Sequence, residues 1–281
     1  MFTTLINPTQ LNDAMTRGDD VFIIDARHDL MDVHAGRAAF DAGHIASARF
    51  LHMDEDLSGL KTGLNGRHPL PDLAVLSEKL TNMGLNQASQ VVVYDANNSM
   101  MAARAWWLLR QLGHAAVCVL DGGLAAWLAA GCVTDSQPST WTRGDFVRTE
   151  SLNQTIAADE LLAHLDDGSL VVIDARAPER YSGEIEPLDP VAGHIPHALN
   201  VFFMRNLNSD GTFKNASELY ELWQSTLAGH EKSRIVNQCG SGVTACHNIL
   251  SQHISGLNAV SLYPGSWSEW CSDASRPVVT P

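Results

Sequence analysis

Residues 21–27 read VFIIDAR, and residues 170–176 read LVVIDAR in the second half of the same chain. Each copy is a continuous apolar run that reaches an aspartate, Asp25 in the first copy and Asp174 in the second. An apolar run without polar alternation is typical of a strand that is buried on both faces, as in a parallel sheet covered by helices. The pair therefore predicts one parallel sheet in each half of the chain.

Further segments repeat in the same order around these two strands. Residues 40–46 (FDAGHIA) follow the first strand and residues 191–196 (VAGHIP) follow the second, so both copies contain AGHI. The spacing between the copies is far longer than the roughly 20–50 residues of a solenoid repeat, which indicates duplication of a whole domain. A strand-like, a helix-like and another strand-like segment also occur twice, at 90–95, 101–114 and 115–120 and again at 234–238, 243–253 and 257–262.

The predicted fold class is α/β, with tandem duplicated domains that each contain a mainly parallel sheet flanked by helices. A length of 281 residues fits two domains of ordinary size. The polar segment 134–148 (TDSQPSTWTRGDFVR) contains proline and glycine, as linkers often do. We therefore predict a first domain at 1–135, a linker at 136–152 and a second domain at 153–281.

Composition disfavours several classes of partner. A net charge of −14 disfavours nucleic acids, because phosphate contacts need a basic surface, and it disfavours anionic membranes. No run of about 20 apolar residues predicts a membrane span, and residues 1–11 lack the pattern of a secretory signal. The five cysteines have neither CxxC nor zinc-ligand spacing, so we expect a reducing, cytoplasmic location and no metal or organic cofactor.

Residues 239–244 (CGSGVT) lie between strand-like residues 234–238 and helix-like residues 245–253. The two glycines of this loop can adopt positive φ angles, and such a loop can direct several backbone N–H groups at one point. The following helix adds the positive end of its dipole. Both effects favour a thiolate, so Cys239 is predicted to be an active-site nucleophile. The residues predicted to bind the substrate through this loop are Gly240, Gly242, Val243 and Thr244.

The duplication provides an internal control for this prediction. The counterpart of Cys239 in the first copy falls at Asp95 or Ala96, so the first domain lacks a nucleophile and we expect the chemistry in the second. His44 and His194 occupy matching places in both copies and are therefore predicted to be structural. A cysteine usually serves as a small buried hydrophobic residue. This structural role is predicted for the other four cysteines, Cys118, Cys132, Cys246 and Cys271.

These motifs together resemble the two-domain rhodaneses, a family of sulfurtransferases, over nearly the whole chain. The resemblance rests on the repeated AGHI, on residues 239–247 (CGSGVTACH) and on residues 265–270 (GSWSEW). In thiosulfate-using members this loop is similar to Cys-Arg-Lys-Gly-Val-Thr, and its two cations suit thiosulfate, which is a dianion. Gly240 and Ser241 stand in place of those cations, so the loop is more similar to that of 3-mercaptopyruvate sulfurtransferases.

The resemblance implies roles for three polar side chains. Mercaptopyruvate enzymes of the family pair the loop serine with a histidine and an acid. Ser241 matches the serine, His68 matches the histidine, and Asp54 is the best match for the acid, although Glu55 or Asp56 could take its place. In such a relay the acid fixes the tautomer of the histidine, and the histidine polarises the serine hydroxyl.

Arg180 matches the arginine that binds the carboxylate of the donor in this family. It has no basic counterpart in the first copy, where Met31 lies at that offset, whereas Arg176 is matched by Arg27 and is predicted to form a structural ion pair. Mercaptopyruvate enzymes usually carry a second arginine further along the chain. Here Asp189 stands near that place, so half of a two-arginine carboxylate clamp is missing from its expected position.

The predicted function is transfer of sulfane sulfur from 3-mercaptopyruvate to a thiol or cyanide through a persulfide on Cys239. The implied partners are a small anionic sulfur donor and a thiol acceptor such as thioredoxin or a small thiol. A thiosulfate sulfurtransferase and a non-enzymatic rhodanese-like binding module stay open as alternatives. A phosphatase of the Cys-x5-Arg type is disfavoured, because Ala245 stands where its phosphate-binding arginine would be.

Overall fold

The computed structural model describes residues 1–137, 139–230 and 232–280. The chain folds into two compact units. Unit 1 comprises Met1–Gly59, Leu70–Leu152 and Ser209–Phe213, and unit 2 comprises Leu60–Pro69, Asn153–Asn208 and Lys214–Pro281. Residues 60–69 therefore pack with unit 2, because the N–H of Arg67 donates to Ser268 Oγ at 3.0 Å. The limits predicted for the two domains and the linker stay predictions.

Unit 1 contains a parallel sheet with helices between its strands. Its elements in chain order are β1 (Leu5–Ile6), α1 (Pro8–Arg17), β2 (Val21–Asp25), α2 (Ala35–Ala42), β3 (Arg49–Phe50), α3 (Leu73–Asn82), β4 (Gln90–Tyr94), α4 (Met100–Gln111), β5 (Val117–Leu120) and α5 (Gly123–Ala129). The strand order is β1-β5-β4-β2-β3, and every neighbouring pair runs parallel.

Unit 2 repeats this arrangement. Its elements in chain order are β6 (Gln154–Thr155), α6 (Ala158–Ala163), β7 (Leu170–Asp174), α7 (Pro178–Ser182), β8 (Leu199–Asn200), a 3-10 helix (Phe203–Asn206), α8 (Ala216–Thr226), β9 (Arg234–Gln238), α9 (Thr244–Ile254), β10 (Val260–Leu262) and α10 (Ser266–Trp270). The strand order is β6-β10-β9-β7-β8, again with parallel neighbours.

The two sheets have the same topology when β6 is matched with β1 and each later strand with its counterpart. The predicted fold class, a tandem pair of α/β domains with mainly parallel sheets, is therefore confirmed. Asp25 is paired with Tyr94 in unit 1, and Asp174 is paired with Gln238 in unit 2. This common register makes the residue after Tyr94 the counterpart of Cys239, so the counterpart is Asp95 rather than Ala96.

Helix ends follow their capping residues. Asn7 accepts the N–H of Gln10 at 2.9 Å and forms a capping box at the start of α1, and Gly18 caps the other end of this helix with φ 76°. Asn215 and Glu218 form the same box at the start of α8. An N-cap of this kind contributes about 1 kcal/mol of helix stability, so these polar residues fix where the helices that cover each sheet begin.

Each AGHI segment is tied to the end of a central strand by a buried arginine. Arg27 donates to Asp25 at 2.7 Å and to the carbonyl of Gly43 at 2.7 Å. Arg176 donates to Asp174 at 2.7 Å and to the carbonyl of Gly193 at 2.8 Å. The bonds recur in both units, including the one without a cysteine in its loop, which fits the structural ion pair predicted for Arg176.

The histidines of AGHI pack in the same way in both units. His44 stacks on Phe40 with ring centroids 3.9 Å apart and bonds the carbonyl of the same residue at 2.8 Å. His194 stacks on Tyr181 at 3.9 Å and bonds its carbonyl at 2.8 Å. These contacts agree with a structural role.

In the described part of the chain no helix has the length and apolar character needed to cross a membrane.

Candidate active site

Cys239 lies directly after β9, at the carboxyl end of the middle strand of its sheet. Its sulfur accepts the N–H of Gly242 at 3.2 Å, and its own N–H donates to Ser266 Oγ at 3.1 Å. The loop turns at Gly242 with φ 80°, and a Cβ added there would lie 2.3 Å from the carbonyl oxygen of Pro264. Glycine is therefore required at this position both for the φ angle and for the close backbone approach.

Four further backbone N–H groups of the loop are open. Across the residues that the structure describes, no hydrogen bond uses the N–H of Gly240, Ser241, Val243 or Thr244. They lie at the start of α9, next to the positive end of its helix dipole. Unpaired donors in a buried loop are costly, and an anion bound beside them would relieve that cost. The loop thus has the properties of an anion-binding site with a thiol at its first residue.

The environment of two other cysteines differs from that of the loop. Burial raises the pKa of Cys271 to about 11. Burial likewise raises the pKa of Cys118, which lies in β5 and is fully buried. Both thiols therefore stay protonated at neutral pH, and since the thiolate is the reactive form, neither is suited to act as a nucleophile.

His68 and Ser241 are in direct contact within unit 2. The Nδ1 atom of His68 and the Oγ atom of Ser241 form a hydrogen bond of 2.8 Å, and both residues are buried. The structure thus brings together the histidine and the serine that the sequence analysis paired. A hydroxyl polarised by a buried imidazole can pass a proton to a reacting group beside it.

The three acids considered as partners of His68 lie in unit 1 and have different surroundings. Asp56 accepts the N–H of His52 at 2.8 Å and pairs with Lys79, so its carboxylate is already engaged. Glu55 is exposed. Asp54 is half-buried and lies 3.7 Å from His28, measured from Oδ2 to Nε2. Asp54 stays the predicted acid.

One group of potential metal ligands occurs in the described residues, formed by His28, His52 and Asp54. Both ring nitrogens of His52 already have partners. Its Nδ1 accepts the N–H of Asp54 at 3.1 Å, and its Nε2 lies 2.8 Å from the carbonyl oxygen of Val33. A metal ligand needs a free lone pair on its nitrogen, so this group fits a structural turn better than a metal site.

Arg180, in α7, is held by two buried acids. Its Nη2 donates to Glu186 Oε1 at 2.7 Å and to Asp189 Oδ2 at 3.3 Å. Its Nε donates to Glu186 Oε2 at 3.2 Å. Asp189, which stands near the place expected for a second arginine, therefore helps to fix the first one.

Comparison with known proteins identifies the family of this site. The rhodanese-like domain family matches residues 7–130 and 157–273. The chain belongs to the rhodanese family. The two matches fall one in each half of the chain, as the duplicated strands and AGHI segments predict.

Three relatives show how the rhodanese resemblance extends. A Pseudomonas aeruginosa protein named "Probable 3-mercaptopyruvate sulfurtransferase" is 45% identical over 93% of this chain and 93% of its own. The rat thiosulfate sulfurtransferase is 32% identical over 90% of this chain and 86% of its own. The crystal structure of the 3-mercaptopyruvate sulfurtransferase SseA from Escherichia coli is 28% identical, with a TM-score of 0.80 over 95% of this chain and 99% of its own.

Two residues beside the rhodanese loop were missed by the sequence analysis. The first is Ser266, whose hydroxyl accepts the N–H of Cys239. Its counterpart in the first copy is Gly123, because the next residue in each copy donates its N–H to the carbonyl of the first loop residue, Trp267 to Cys239 and Leu124 to Asp95. That replacement in the repeat is the signal that could have revealed it. Arg67 precedes His68 and pairs with Asp189, a contact that no local pattern indicates.

Proposed function

We propose that this chain is a sulfurtransferase that takes sulfur from 3-mercaptopyruvate and passes it to an acceptor through a persulfide on Cys239. One observation carries the proposal: the neutral pair Gly240 and Ser241 follows the cysteine, and Ser241 is hydrogen-bonded to the buried His68. A donor that leaves as an enolate needs a proton source beside the thiol rather than fixed cations in the loop. The names of the relatives at 45% identity and in E. coli support the same donor.

In the first step the thiolate of Cys239 attacks the sulfur of 3-mercaptopyruvate. The new S–S bond forms as the C–S bond of the donor breaks. The electron pair of the broken C–S bond passes to the three-carbon fragment, which departs as the enolate of pyruvate. The proton released by the donor thiol ends on the methyl carbon of pyruvate, so that the step consumes no external oxidant or reductant. Ser241 and His68 are placed to carry that proton.

The persulfide formed on Cys239 is an anion at the start of α9. The N–H groups of Gly240, Ser241, Val243 and Thr244 are available to stabilise its terminal sulfur, because no other described group occupies them. Donors fixed in advance stabilise developing charge without reorganisation. An acceptor thiolate or cyanide then attacks the terminal sulfur and restores the Cys239 thiolate.

The acid and the acceptor are finer parts of this proposal. We assign Asp54 as the acid that orients His68, and a thiol as the physiological acceptor, either a small thiol or a protein thiol of the thioredoxin type. We place the reaction in the cytoplasm, where reducing conditions keep such thiols free. Loss of activity in Asp54→Asn, with Glu55→Gln unaffected, is the expected outcome for the acid.

Thiosulfate is a second candidate donor, favoured by two cations close to the loop. A Cβ added at Gly240 would lie 2.9 Å from Arg67 Nη2 and 3.2 Å from Arg180 Nη1. Cations supplied from outside the loop could meet a dianion as cations within it do. The rat relative named thiosulfate sulfurtransferase is consistent with this alternative.

The test is sulfur transfer to cyanide with each donor, together with mass spectrometry of the protein after exposure to donor alone. We expect faster turnover with 3-mercaptopyruvate and an added sulfur atom on the peptide that contains Cys239, both lost in Cys239→Ser. Faster turnover with thiosulfate would favour the second donor. No adduct with either donor would favour a binding module without this activity.

A further inference from the structure

The loop at residues 239–244 contains no arginine or lysine, yet two guanidinium groups lie beside its first glycine, Gly240. The atoms closest to a Cβ added at Gly240 are Arg67 Nη2 at 2.9 Å, Arg180 Nη1 at 3.2 Å and Arg180 Nη2 at 3.4 Å. Any side chain at position 240 would displace these groups. Glycine therefore serves here to admit two cations next to Cys239, whereas the turn of the loop is made at Gly242.

Buried acids hold both guanidinium groups in place. Asp189 pairs with Arg67 Nη1 through one oxygen and with Arg180 Nη2 through the other. Glu186 makes a two-pronged contact with Arg180. The side chains of Asp189 and Glu186 are each only 3% exposed, so the acids lie behind the arginines and leave the arginines partly open to solvent.

The nitrogens left open by the acids are the ones that face the loop. Within the described ranges, neither Arg67 Nη2 nor Arg180 Nη1 hydrogen-bonds to an acid. These are also the two atoms nearest to Gly240. Two N–H-bearing nitrogens from different guanidinium groups, directed at one place, match the two oxygens of a carboxylate.

We infer that Arg67 is the second arm of the carboxylate clamp for the sulfur donor, and that Asp189 is a positioning residue for both arms. The inference rests on the proposed function and adds a second residue that selects a donor with a carboxylate. An acid, Asp189, thus stands where the second arginine is expected. The arginine that pairs with this acid comes from another segment of the chain, next to His68.

The experiment compares wild type, Arg67→Ala and Arg67→Lys with two donors. 3-Mercaptopyruvate carries the carboxylate, and mercaptoacetone has the same ketone and thiol with a methyl group in its place. We expect Arg67→Ala to raise KM for 3-mercaptopyruvate about 10- to 100-fold, the loss of one charge-assisted contact. Its kcat should change little, because the carboxylate takes no part in the formation of the S–S bond or the cleavage of the C–S bond.

Several controls separate binding of the carboxylate from a general structural effect. KM for mercaptoacetone should stay within about twofold in Arg67→Ala, and Arg67→Lys should recover only part of the loss, because an ammonium lacks the planar fork. Arg37→Ala, which removes an exposed arginine paired with Asp41 in unit 1, should change neither donor. An equal rise of KM for both donors in Arg67→Ala would overturn the inference.

Binding of pyruvate, followed by NMR titration, tests the clamp without turnover. Wild type should bind pyruvate at least about tenfold more tightly than Arg67→Ala, and Asp189→Asn should lie between them. Equal binding by wild type and Arg67→Ala would contradict the clamp even if sulfur transfer proceeds. Pyruvate binding that depends on Arg67 in a protein that forms no persulfide would support the clamp and refute the proposed function.

Discussion

The two units contain the same strand, loop and helix, and they differ in what occupies the N–H groups of the loop. Asp95 follows β4 in unit 1, and Cys239 follows β9 in unit 2. The helices begin at corresponding residues, Met100 and Thr244. The two loops thus have the same length, but their backbones differ at the last residue, where Ser99 has φ 60° and Val243 has φ −90°. The side chain of the first loop residue also distinguishes them.

In unit 1 the loop binds its own carboxylate. Asp95 accepts the N–H groups of Asn97 at 2.8 Å, Ser99 at 3.0 Å, Met101 at 2.9 Å and Ala102 at 2.9 Å. Burial raises the pKa of Asp95, and these four bonds oppose that rise. The comparison indicates that this loop geometry suits an anion, which unit 1 supplies from its own chain and unit 2 leaves for the reaction to supply.

The largest expected effect comes from a methyl group at the turn. Gly242→Ala places a Cβ against Pro264 and requires φ 80° of an L-residue, so we expect sulfur transfer to fall more than about 100-fold, since a misplacement of 1 Å can have that effect. Asn98 is the counterpart in unit 1 and already adopts φ 56° with a side chain. Asn98→Ala should leave turnover within about twofold, and equal effects of the two changes would break the comparison.

Removal of the carboxylate in unit 1 should destabilise the protein. Asp95→Ala leaves three buried N–H groups and the part-buried N–H of Asn97 without an acceptor, and we expect the free energy of unfolding to fall by about 2–4 kcal/mol. Asp95→Asn keeps one acceptor oxygen and should have a smaller effect. Denaturant titration measures the change, and activity per folded molecule should be preserved. An unchanged unfolding midpoint for Asp95→Ala would show that the loop does not depend on its anion.

The hydroxyl beside the cysteine should affect the rate. Ser241→Ala removes the partner of His68, and we expect kcat with 3-mercaptopyruvate to decrease about 100-fold, as for loss of a general acid. Asn97 is the corresponding residue in unit 1, and Asn97→Ala serves as the control with little expected change. Stopped-flow release of pyruvate is the measurement, and wild-type release by Ser241→Ala would remove the serine from the mechanism.

The smallest effect is expected from a change that makes unit 2 more like unit 1. Ser266→Gly deletes the hydroxyl that accepts the N–H of Cys239, while it relieves the positive φ of 54° at this residue. Loss of one neutral hydrogen bond of about 1 kcal/mol corresponds to a decrease in kcat/KM of about fivefold. Steady-state kinetics at several donor concentrations would detect it. A rise in kcat/KM would mean that strain outweighs the hydrogen bond.

The sequence predicted those parts of the molecule that depend on local patterns or on the repeat. The apolar runs at 21–27 and 170–176 predicted the parallel sheets, and the two glycines around Ser241 predicted a turn before a helix. The repeat also located the counterpart of Cys239 to within one residue, and the strand register then identified it as Asp95.

Contacts between residues distant in sequence were beyond that reasoning. Arg67 and Asp189 are both unremarkable in their own segments, and only the fold brings them together over Gly240. The absence of an arginine near position 189 therefore suggested an incomplete clamp. Local patterns do not encode which chain segment supplies a charge, because that depends on tertiary packing.

The most direct test of the open loop is the unfolding free energy of Cys239→Asp relative to Cys239→Ser, which transfers the carboxylate of unit 1 into the loop of unit 2. Both variants should lose sulfur transfer. If the N–H groups of the loop are open to an anion, Cys239→Asp should be more stable than Cys239→Ser by at least about 1 kcal/mol, since a charge-assisted hydrogen bond contributes about 1.5–3 kcal/mol. A Cys239→Asp protein less stable than Cys239→Ser would contradict the account, because the loop would then reject the anion that it is claimed to bind.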